Sequence, residues 1–291
     1  MRKVLFLLTA AWLLCSCNEV ADFGRMLPEN VSLDEVVSVS DLTYEQLDEM
    51  VPDVALRDEL RRYGGLLVRA SVGALSGNQD YDFVNIYYSD SQSTLPPYDY
   101  SSGGVATSIF TDYVHMEGRG SDWQPLIWWD DSQIMQLPGM TFYFKAAVGL
   151  GDYWNDPGFV DDCLGSDYTT NYTYSDVKTY TYPSAPLITE FEAEAEEGSS
   201  MLYVSFRVCA DEGNLPSVIS RRGICYSSTN PLPDISDEVV LVGNDFQYSQ
   251  YVGFWTPVSG GTYHVRAFAV SVNGDISYSP VRMVTIYAPN E

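Results

Sequence analysis

The chain has 291 residues and a formal charge of −25, from 40 acidic and 15 basic side chains. So acidic a chain is unsuited to nucleic-acid phosphates and to anionic lipid surfaces. Its two histidines leave little material for a histidine-rich metal site or a histidine-based catalytic triad. A hydrophobic fraction of 45% is enough to bury a core, and the length suggests about two domains of roughly 100–150 residues each. The composition predicts a folded protein that binds no nucleic acid.

The N-terminus has the pattern of an export signal. A positive start, Arg2-Lys3, precedes the apolar run 4–14, which is shorter than the ~20 residues a membrane helix needs. The run ends in Leu14-Cys15-Ser16-Cys17, which resembles the bacterial lipobox. The resemblance implies that residues 1–16 are a signal peptide and that Cys17 is acylated, with palmitate among its acyl chains. An ordinary secretory signal is the alternative.

The lipobox resemblance also implies a location in the cell envelope. Lipid on Cys17 would hold the protein to a membrane. Asn18 follows the cysteine where an aspartate would favour inner-membrane retention, so the outer membrane is expected. The protein would face either the periplasm or the medium. Glu19 and Asp22 favour the cell surface, because surface lipoproteins of Bacteroidota-type bacteria often carry acidic residues here.

Residues 17–62 are predicted to form a lipidated tether with a short helix. Apolar residues recur at roughly helical spacing over 42–50, and Asp53 is suited to cap a second helical segment. An alternative is a first β-strand over residues 32–39, because apolar side chains alternate there. No residue of this segment points to catalysis.

From Gly64 onward, apolar side chains recur at every second position, which is the period of a β-strand. Short strands separated by clusters of Gly, Pro, Asn and Asp indicate antiparallel sandwiches rather than alternating strands and helices. The fold class predicted is all-β. The strands are expected around residues 66–72, 84–88, 142–148, 202–208, 263–269 and 281–285.

The two halves of the chain carry similar blocks in the same order, which indicates a tandem repeat. The predicted domains are 63–183 and 184–291, joined near Pro183-Ser184-Ala185-Pro186. The second half resembles the fibronectin type III-like repeat of Bacteroidota lipoproteins, through the stretches 222–231 and 261–267 and through Asn273-Gly274. This resemblance implies two Ig-like or fibronectin type III-like sandwiches, the first of them divergent and carrying a long aromatic and acidic insert.

Aromatic side chains in and beside that insert are the candidate ligand-binding residues. The flat faces of tryptophan and tyrosine stack on the apolar faces of sugars, while neighbouring Asp and Asn bond to hydroxyl groups. Packing in the sandwich core is the alternative for Trp128 or Trp129, since adjacent strand residues point to opposite faces; a protein interface is a third possibility. The candidates are Trp123, Trp128, Trp129, Tyr153 and Trp154.

No catalytic motif, cofactor site or metal-binding motif is found in the chain. His115 and His264 stand alone, and His264 is expected to be an exposed strand residue. The acidic loop 152–167 is expected to be solvated, with a calcium site as the alternative. Cys209 and Cys225 lie on neighbouring predicted strands, where free thiols are favoured over a disulfide.

The sequence therefore predicts a non-catalytic envelope lipoprotein that acts as a binding module, with a polysaccharide as its ligand through the aromatic loops of the first repeat. A structural or adhesive surface protein, which holds a protein partner or serves as a spacer, is the alternative. No cofactor is expected.

Overall fold

The computed structural model describes residues 31–73, 83–96, 112–115, 123–128, 131–149, 172–196, 198–210, 215–242 and 249–287. Within these ranges no helix is long and apolar enough to cross a membrane.

The first half of the chain forms an antiparallel sandwich. One sheet has the order β1–β2–β5, and the other has the order β4–β3–β6–β7, with β8 also paired to β6. The two sheets enclose an apolar core that includes Val68, Ile86, Phe142 and Phe144. The strands are β1 (Val31–Ser38), β2 (Leu66–Val72), β3 (Phe83–Ser89), β4 (Asp112–His115), β5 (Trp123–Leu126), β6 (Thr141–Gly149), β7 (Tyr172–Tyr174) and β8 (Lys178–Thr181).

The second half repeats this arrangement. One sheet has the order β9–β10–β13, and the other has the order β12–β11–β14–β15, with β16 also paired to β14. Its core includes Phe191, Phe206, Ile224 and Val265. The strands are β9 (Ile188–Ala195), β10 (Met201–Val208), β11 (Ile219–Ser227), β12 (Glu238–Leu241), β13 (Tyr251–Pro257), β14 (Gly261–Ser271), β15 (Ile276–Tyr278) and β16 (Arg282–Ile286).

The strand order is the same in both halves. In each, the first, second and fifth strands form one sheet, and the third, fourth and sixth strands belong to the other together with the strands that follow. This is the arrangement of an Ig-like or fibronectin type III-like sandwich. The all-β, tandem-sandwich prediction is confirmed. Two short helices connect strands within the sandwiches. α3 (Asp131–Ile134) lies between β5 and β6 of the first sandwich, and α4 (Leu215–Val218) lies between β10 and β11 of the second.

The segment expected to be a tether contains a strand and two helices. The strand alternative for residues 32–39 is the one observed, because β1 pairs with β2 along its whole length. The first sandwich therefore begins at Val31 rather than at residue 63. Helices α1 (Tyr44–Met50) and α2 (Val54–Tyr63) follow, capped by Thr43 and Asp53 respectively.

The two helices form a layer on the outer face of the first sandwich, called here the helical layer. Leu47 and Leu60 pack against Leu67 of β2, and all three side chains are buried. The residues before and after Leu67, which are Leu66 and Val68, point to the opposite face of β2 and into the core of the first sandwich. Because both faces of β2 are covered, its sequence has consecutive apolar residues instead of strict alternation.

The helical layer also contacts the second sandwich. Arg62 at the end of α2 forms an ion pair with Glu192 of β9 at 3.1 Å, and Thr189 Oγ1 donates to the carbonyl of Tyr63 at 3.2 Å. His264, expected to be exposed, has a side chain only 16% accessible, with Nε2 3.6 Å from the Glu45 carboxylate of α1. The helical layer covers it, which the strand pattern around His264 does not reveal.

Candidate binding site

Trp128 is a core residue and not part of a surface platform. Its side chain is 9% exposed and packs against Phe142 and Tyr88, with ring centroids 5.2 Å and 5.7 Å apart. The indole Nε1 donates a hydrogen bond of 2.7 Å to the Tyr182 hydroxyl. Burial raises the pKa of that hydroxyl, so it stays protonated. Trp128 therefore packs in the core, as the packing alternative expects. That it also contacts a ligand stays a prediction.

Trp123 is half-buried. It packs at the edge of the apolar cluster under the helical layer, and the Arg69 guanidinium lies 4.7 Å from its ring centroid. That its exposed part contacts a ligand stays a prediction. The remaining candidates, Cys17, Trp129, Tyr153 and Trp154, and the acidic loop 152–167, lie outside the described residues.

Cys209 and Cys225 are both buried, and they are not joined in a disulfide. Cys209 packs with the core of the first sandwich. The Cys225 thiol donates to the carbonyl of Pro233 at 3.4 Å, and burial raises its pKa to about 12. The disulfide alternative is therefore not what the structure contains, and neither thiol is placed to act as a nucleophile.

We expect both thiols to be unreactive until the protein unfolds. The test uses the chain from residue 17 onward, with its two other cysteines replaced by Cys17→Ser and Cys163→Ser. Ellman's reagent should label almost nothing under native conditions at pH 8, because the thiolate is the reacting species and both sulfurs are buried. In denaturant, Cys209 and Cys225 should both react. Absence of reactive thiol after unfolding would indicate a disulfide instead.

The structure places a cleft where the two sandwiches and the helical layer meet, called here the interdomain cleft. Its volume is about 440 Å³, within the range of small-molecule binding sites. The cleft is lined by the end of β1, the end of α2, the segment after β5, β8, the linker between the sandwiches and β15. Its aromatic side chains are Tyr63, Trp128, Tyr180, Tyr182 and Tyr278.

A short row of polar groups lies on the β1 side of the cleft. Ser38 and Ser40 share a hydrogen bond of 2.8 Å between their hydroxyls, and Tyr180 bonds to Ser38. Asp41 lines the cleft with an exposed side chain. Desolvation by the neighbouring protein raises the pKa of the Asp41 carboxyl, and the nearby Arg266 guanidinium opposes the rise.

Local sequence explains how the polar row is held. β1 ends in a single 3-10 turn at Val39–Asp41, and the Ser38 hydroxyl caps this turn by accepting from the Ser40 amide at 3.3 Å. Arg266 of β14, only 3% exposed, donates to the carbonyl of Ser40. The row is therefore fixed from the second sandwich as well as from its own strand.

Of the residues that line the cleft, the sequence analysis names Trp128 as a candidate but neither Asp41 nor Tyr180. Their convergence with Tyr63 and Tyr278 depends on how the two sandwiches are joined, which no local pattern encodes. The Ser-Val-Ser-Asp order of residues 38–41 after an apolar strand was the available signal.

No family model matches the chain, and no curated protein matches it. Among solved structures, the chain is similar to the FN1–FN3 domains of chicken CNTN1, with 12% identity and a TM-score of 0.27 over 76% of this chain. The match covers 62% of the chicken fragment, so this chain spans less than two thirds of it. The chicken interferon gamma receptor alpha chain is similar with 10% identity and a TM-score of 0.26, over 76% of this chain and 92% of that one.

The fibronectin type III-like fold is one that structural and binding modules use. The fold alone does not choose among such roles. The choice depends on the surfaces and clefts that the two sandwiches present.

Proposed function

We propose that this protein is a non-catalytic binding module of the bacterial cell envelope, anchored by lipid on Cys17 in the outer membrane and facing the cell surface, and that its ligand is a glycan. The observation that carries the binding function is the interdomain cleft. It has aromatic and aliphatic walls with a few fixed polar groups, which is the usual composition of a small-molecule site.

The groups in the cleft suit a sugar residue. The rings of Tyr63 and Tyr278 offer flat apolar surfaces, and the Ser40 and Tyr180 hydroxyls with the Asp41 carboxylate offer partners for sugar hydroxyls. The chain's charge of −25 opposes anionic ligands. We propose that Trp129, Tyr153 and Trp154 of the first repeat, which lie outside the described residues, also contact the glycan.

Binding without catalysis fits the carboxylates of the cleft. Hydrolysis of a glycosidic bond ordinarily needs two carboxyl groups on opposite sides of the sugar. Among the described residues that line the cleft, Asp41 is the one carboxylate. A retained sugar would therefore be held rather than cleaved.

A structural or adhesive role is the second candidate. It is favoured by the contacts that fix the two sandwiches to the helical layer, including the Arg62–Glu192 ion pair and the bond from Arg266 to Ser40. A fixed pair of sandwiches would serve as a stiff spacer between the membrane and a protein partner.

The cleft is tested by thermal unfolding of the chain from residue 17 with Cys17→Ser, in the presence of glucose, galactose, mannose, N-acetylglucosamine, maltose and cellobiose. We expect at least one sugar to raise the melting temperature, because a ligand at ten times its Kd adds about 1.4 kcal/mol to stability. Asp41→Asn combined with Tyr180→Phe should abolish the shift. Glu238→Gln, an exposed acidic position on β12, is the matched control. If no sugar shifts the wild type, the cleft does not bind these sugars.

The anchor is tested by labelling cells with radioactive palmitate. The wild-type chain and Cys15→Ser should be labelled and recovered with outer membranes, whereas Cys17→Ser should not be labelled. Equal labelling of Cys17→Ser and the wild type would refute lipidation at this residue.

A further inference from the structure

The second sandwich carries an open aromatic face on the sheet β9–β10–β13. Alternate residues of these strands point away from the core, and the strand register places them side by side: Tyr203 pairs with Trp255 and with Glu194, and Ser205 pairs with Gly253. Tyr251 completes the outward row of β13. We call this surface the outer platform, defined by Tyr203, Ser205, Tyr251, Gly253, Trp255 and Glu194.

The aromatic rings of the outer platform form one continuous, accessible surface. Trp255 is 50% exposed and Tyr251 is 53% exposed. The ring centroids of Tyr203 and Trp255 are 4.9 Å apart at an interplanar angle of 46°. Trp255 and Tyr251 are four residues apart on one strand, hence roughly 14 Å. This length suits an extended chain molecule better than a single small ligand.

A glycine between the exposed rings keeps this surface open. A Cβ atom at Gly253 would lie 3.4 Å from the Tyr203 hydroxyl oxygen. Any larger side chain there would displace the phenol from its place between Trp255 and Tyr251. Gly253 thus lets Tyr203 lie across the sheet.

Buried polar contacts fix one end of the platform. Arg207, 8% exposed, bonds to the Gln250 side-chain oxygen at 3.1 Å and to the Glu190 carboxylate at 3.4 Å. Its guanidinium lies 5.2 Å from the Tyr251 ring centroid. The Tyr251 ring is therefore held in place before any ligand binds, which lowers the entropic cost of binding.

In the first sandwich, the equivalent outer sheet face is covered by the helical layer. There the outward residues beneath the helical layer include Val37, Leu67 and Ile127, which are aliphatic. On the second sandwich the outward residues around the rings are mainly aromatic, polar or charged, with Ser205 and Glu194 beside the rings and the apolar pair Met201 and Pro257 at one end. This composition does not match that of a face built to receive an apolar helix. It combines flat apolar rings with hydrogen-bonding groups, as a sugar chain requires.

We propose that the outer platform binds an extended, uncharged polysaccharide, with pyranose rings stacked on Trp255, Tyr203 and Tyr251. The Glu194 carboxylate borders the rings on the β9 side; it accepts hydrogen bonds from sugar hydroxyls and repels uronic-acid or sulfated chains. The neighbouring Glu192 carboxylate is held in the ion pair with Arg62. The inference rests on the proposed function for the class of ligand, but the surface is separate from the interdomain cleft. The outer platform would thus be a second binding site, on the second sandwich, which contacts several sugar units of an extended glycan.

Affinity electrophoresis of the chain from residue 17 with Cys17→Ser tests the platform. Native gels contain glycogen, mixed-linkage β-glucan, xylan or galactomannan, and alginate or heparin serve as anionic comparisons. We expect retardation by at least one uncharged polysaccharide and by neither anionic one. Trp255→Ala and Tyr251→Ala should each weaken the apparent affinity about tenfold, in line with the loss of one aromatic stacking contact. Tyr287→Ala, which removes a tyrosine 66% exposed just beyond β16, is the matched control and should leave mobility unchanged.

The outcomes separate this inference from the proposed function. Retardation that persists in the Trp255→Ala, Tyr251→Ala double variant but disappears in Asp41→Asn with Tyr180→Phe would overturn the platform and leave the cleft as the glycan site. No retardation by any uncharged polysaccharide would overturn the platform, and the sugar-dependent melting temperatures would then decide the proposed function alone. Sedimentation measures whether the wild type self-associates. If it does and Trp255→Ala abolishes the self-association, the outer platform is a protein interface and the proposal is overturned.

Discussion

Replacing Trp128 with alanine is expected to lower the free energy of unfolding by about 3–5 kcal/mol, the usual cost of removing a buried tryptophan. The ring fills space between Phe142 and Tyr88 in the first core. The substitution also leaves the buried Tyr182 hydroxyl without the indole donor. Urea unfolding followed by far-ultraviolet circular dichroism measures the change.

Trp255→Ala is the control for the Trp128 prediction, because it removes the same side chain from an exposed site. It should change the unfolding free energy by less than about 0.5 kcal/mol. Trp128→Phe combined with Tyr182→Phe in a double-mutant cycle should isolate about 1 kcal/mol for the hydrogen bond. Equal effects of the two alanine substitutions would contradict the placement of Trp128 in the core.

Replacing Arg266 with alanine should destabilise the protein by about 3 kcal/mol. The guanidinium donates to the carbonyls of Ser279 at 3.0 Å and Pro233 at 3.3 Å, and to that of Ser40 across the junction of the two halves. It also stacks over Tyr278, 4.3 Å from the ring centroid. Removing it takes a donor from each of these three carbonyl oxygens, of which Pro233 keeps the Cys225 thiol, and it detaches the 3-10 turn from the second sandwich.

The measurement for Arg266 combines stability with protease sensitivity. Besides the shifted urea midpoint, the Arg266→Ala chain should be cut faster around the 3-10 turn that leads into the helical layer, because this turn loses its bond to β14. Arg221→Ala, on the exposed side of β11, should change neither property. Arg266→Lys should recover only part of the stability, since an ammonium cannot reproduce the planar set of donors. Wild-type stability and proteolysis in Arg266→Ala would show that the junction does not depend on this residue.

Much of the fold could be predicted from strand periodicity. Every second residue of β6 and β14 is apolar, and Phe144 and Val265 face the cores as that period requires. The recurrence of the same blocks in both halves indicated two copies of one topology. These signals are local. They can be detected in the sequence because each sheet buries one face in a core, which requires an apolar residue at every second position.

The helical layer was harder to predict. Its helices are short, and the helix patterns in the sequence do not indicate which surface they cover. The consecutive residues Leu66, Leu67 and Val68 were a sign that β2 is buried on both sides, but such a run is also found in an ordinary core strand. The low accessibility of His264 follows from this layer, so it could not be inferred from the strand pattern around that residue.

The site was predicted least well, because composition cannot distinguish a packed tryptophan from an exposed one. Trp128 and Trp255 both lie in or next to short β-strands among aromatic neighbours. Their difference arises from the faces of the sheets: Trp128 points between the two sheets, whereas Trp255 points outward from the edge strand β13. The alternation Tyr251, Gly253, Trp255 was available in the sequence as a candidate outward row.

The most direct test of the binding function compares gel mobility and urea stability in the same two proteins, the Cys17→Ser chain and its Trp255→Ala variant. The Cys17→Ser chain should be retarded by an uncharged polysaccharide. Trp255→Ala should unfold at the same urea concentration yet migrate almost as fast with that polysaccharide as without it. Unchanged retardation in a stably folded Trp255→Ala chain would contradict glycan binding at the outer platform. The absence of retardation in both proteins, together with no sugar-dependent change in melting temperature, would contradict a glycan-binding module.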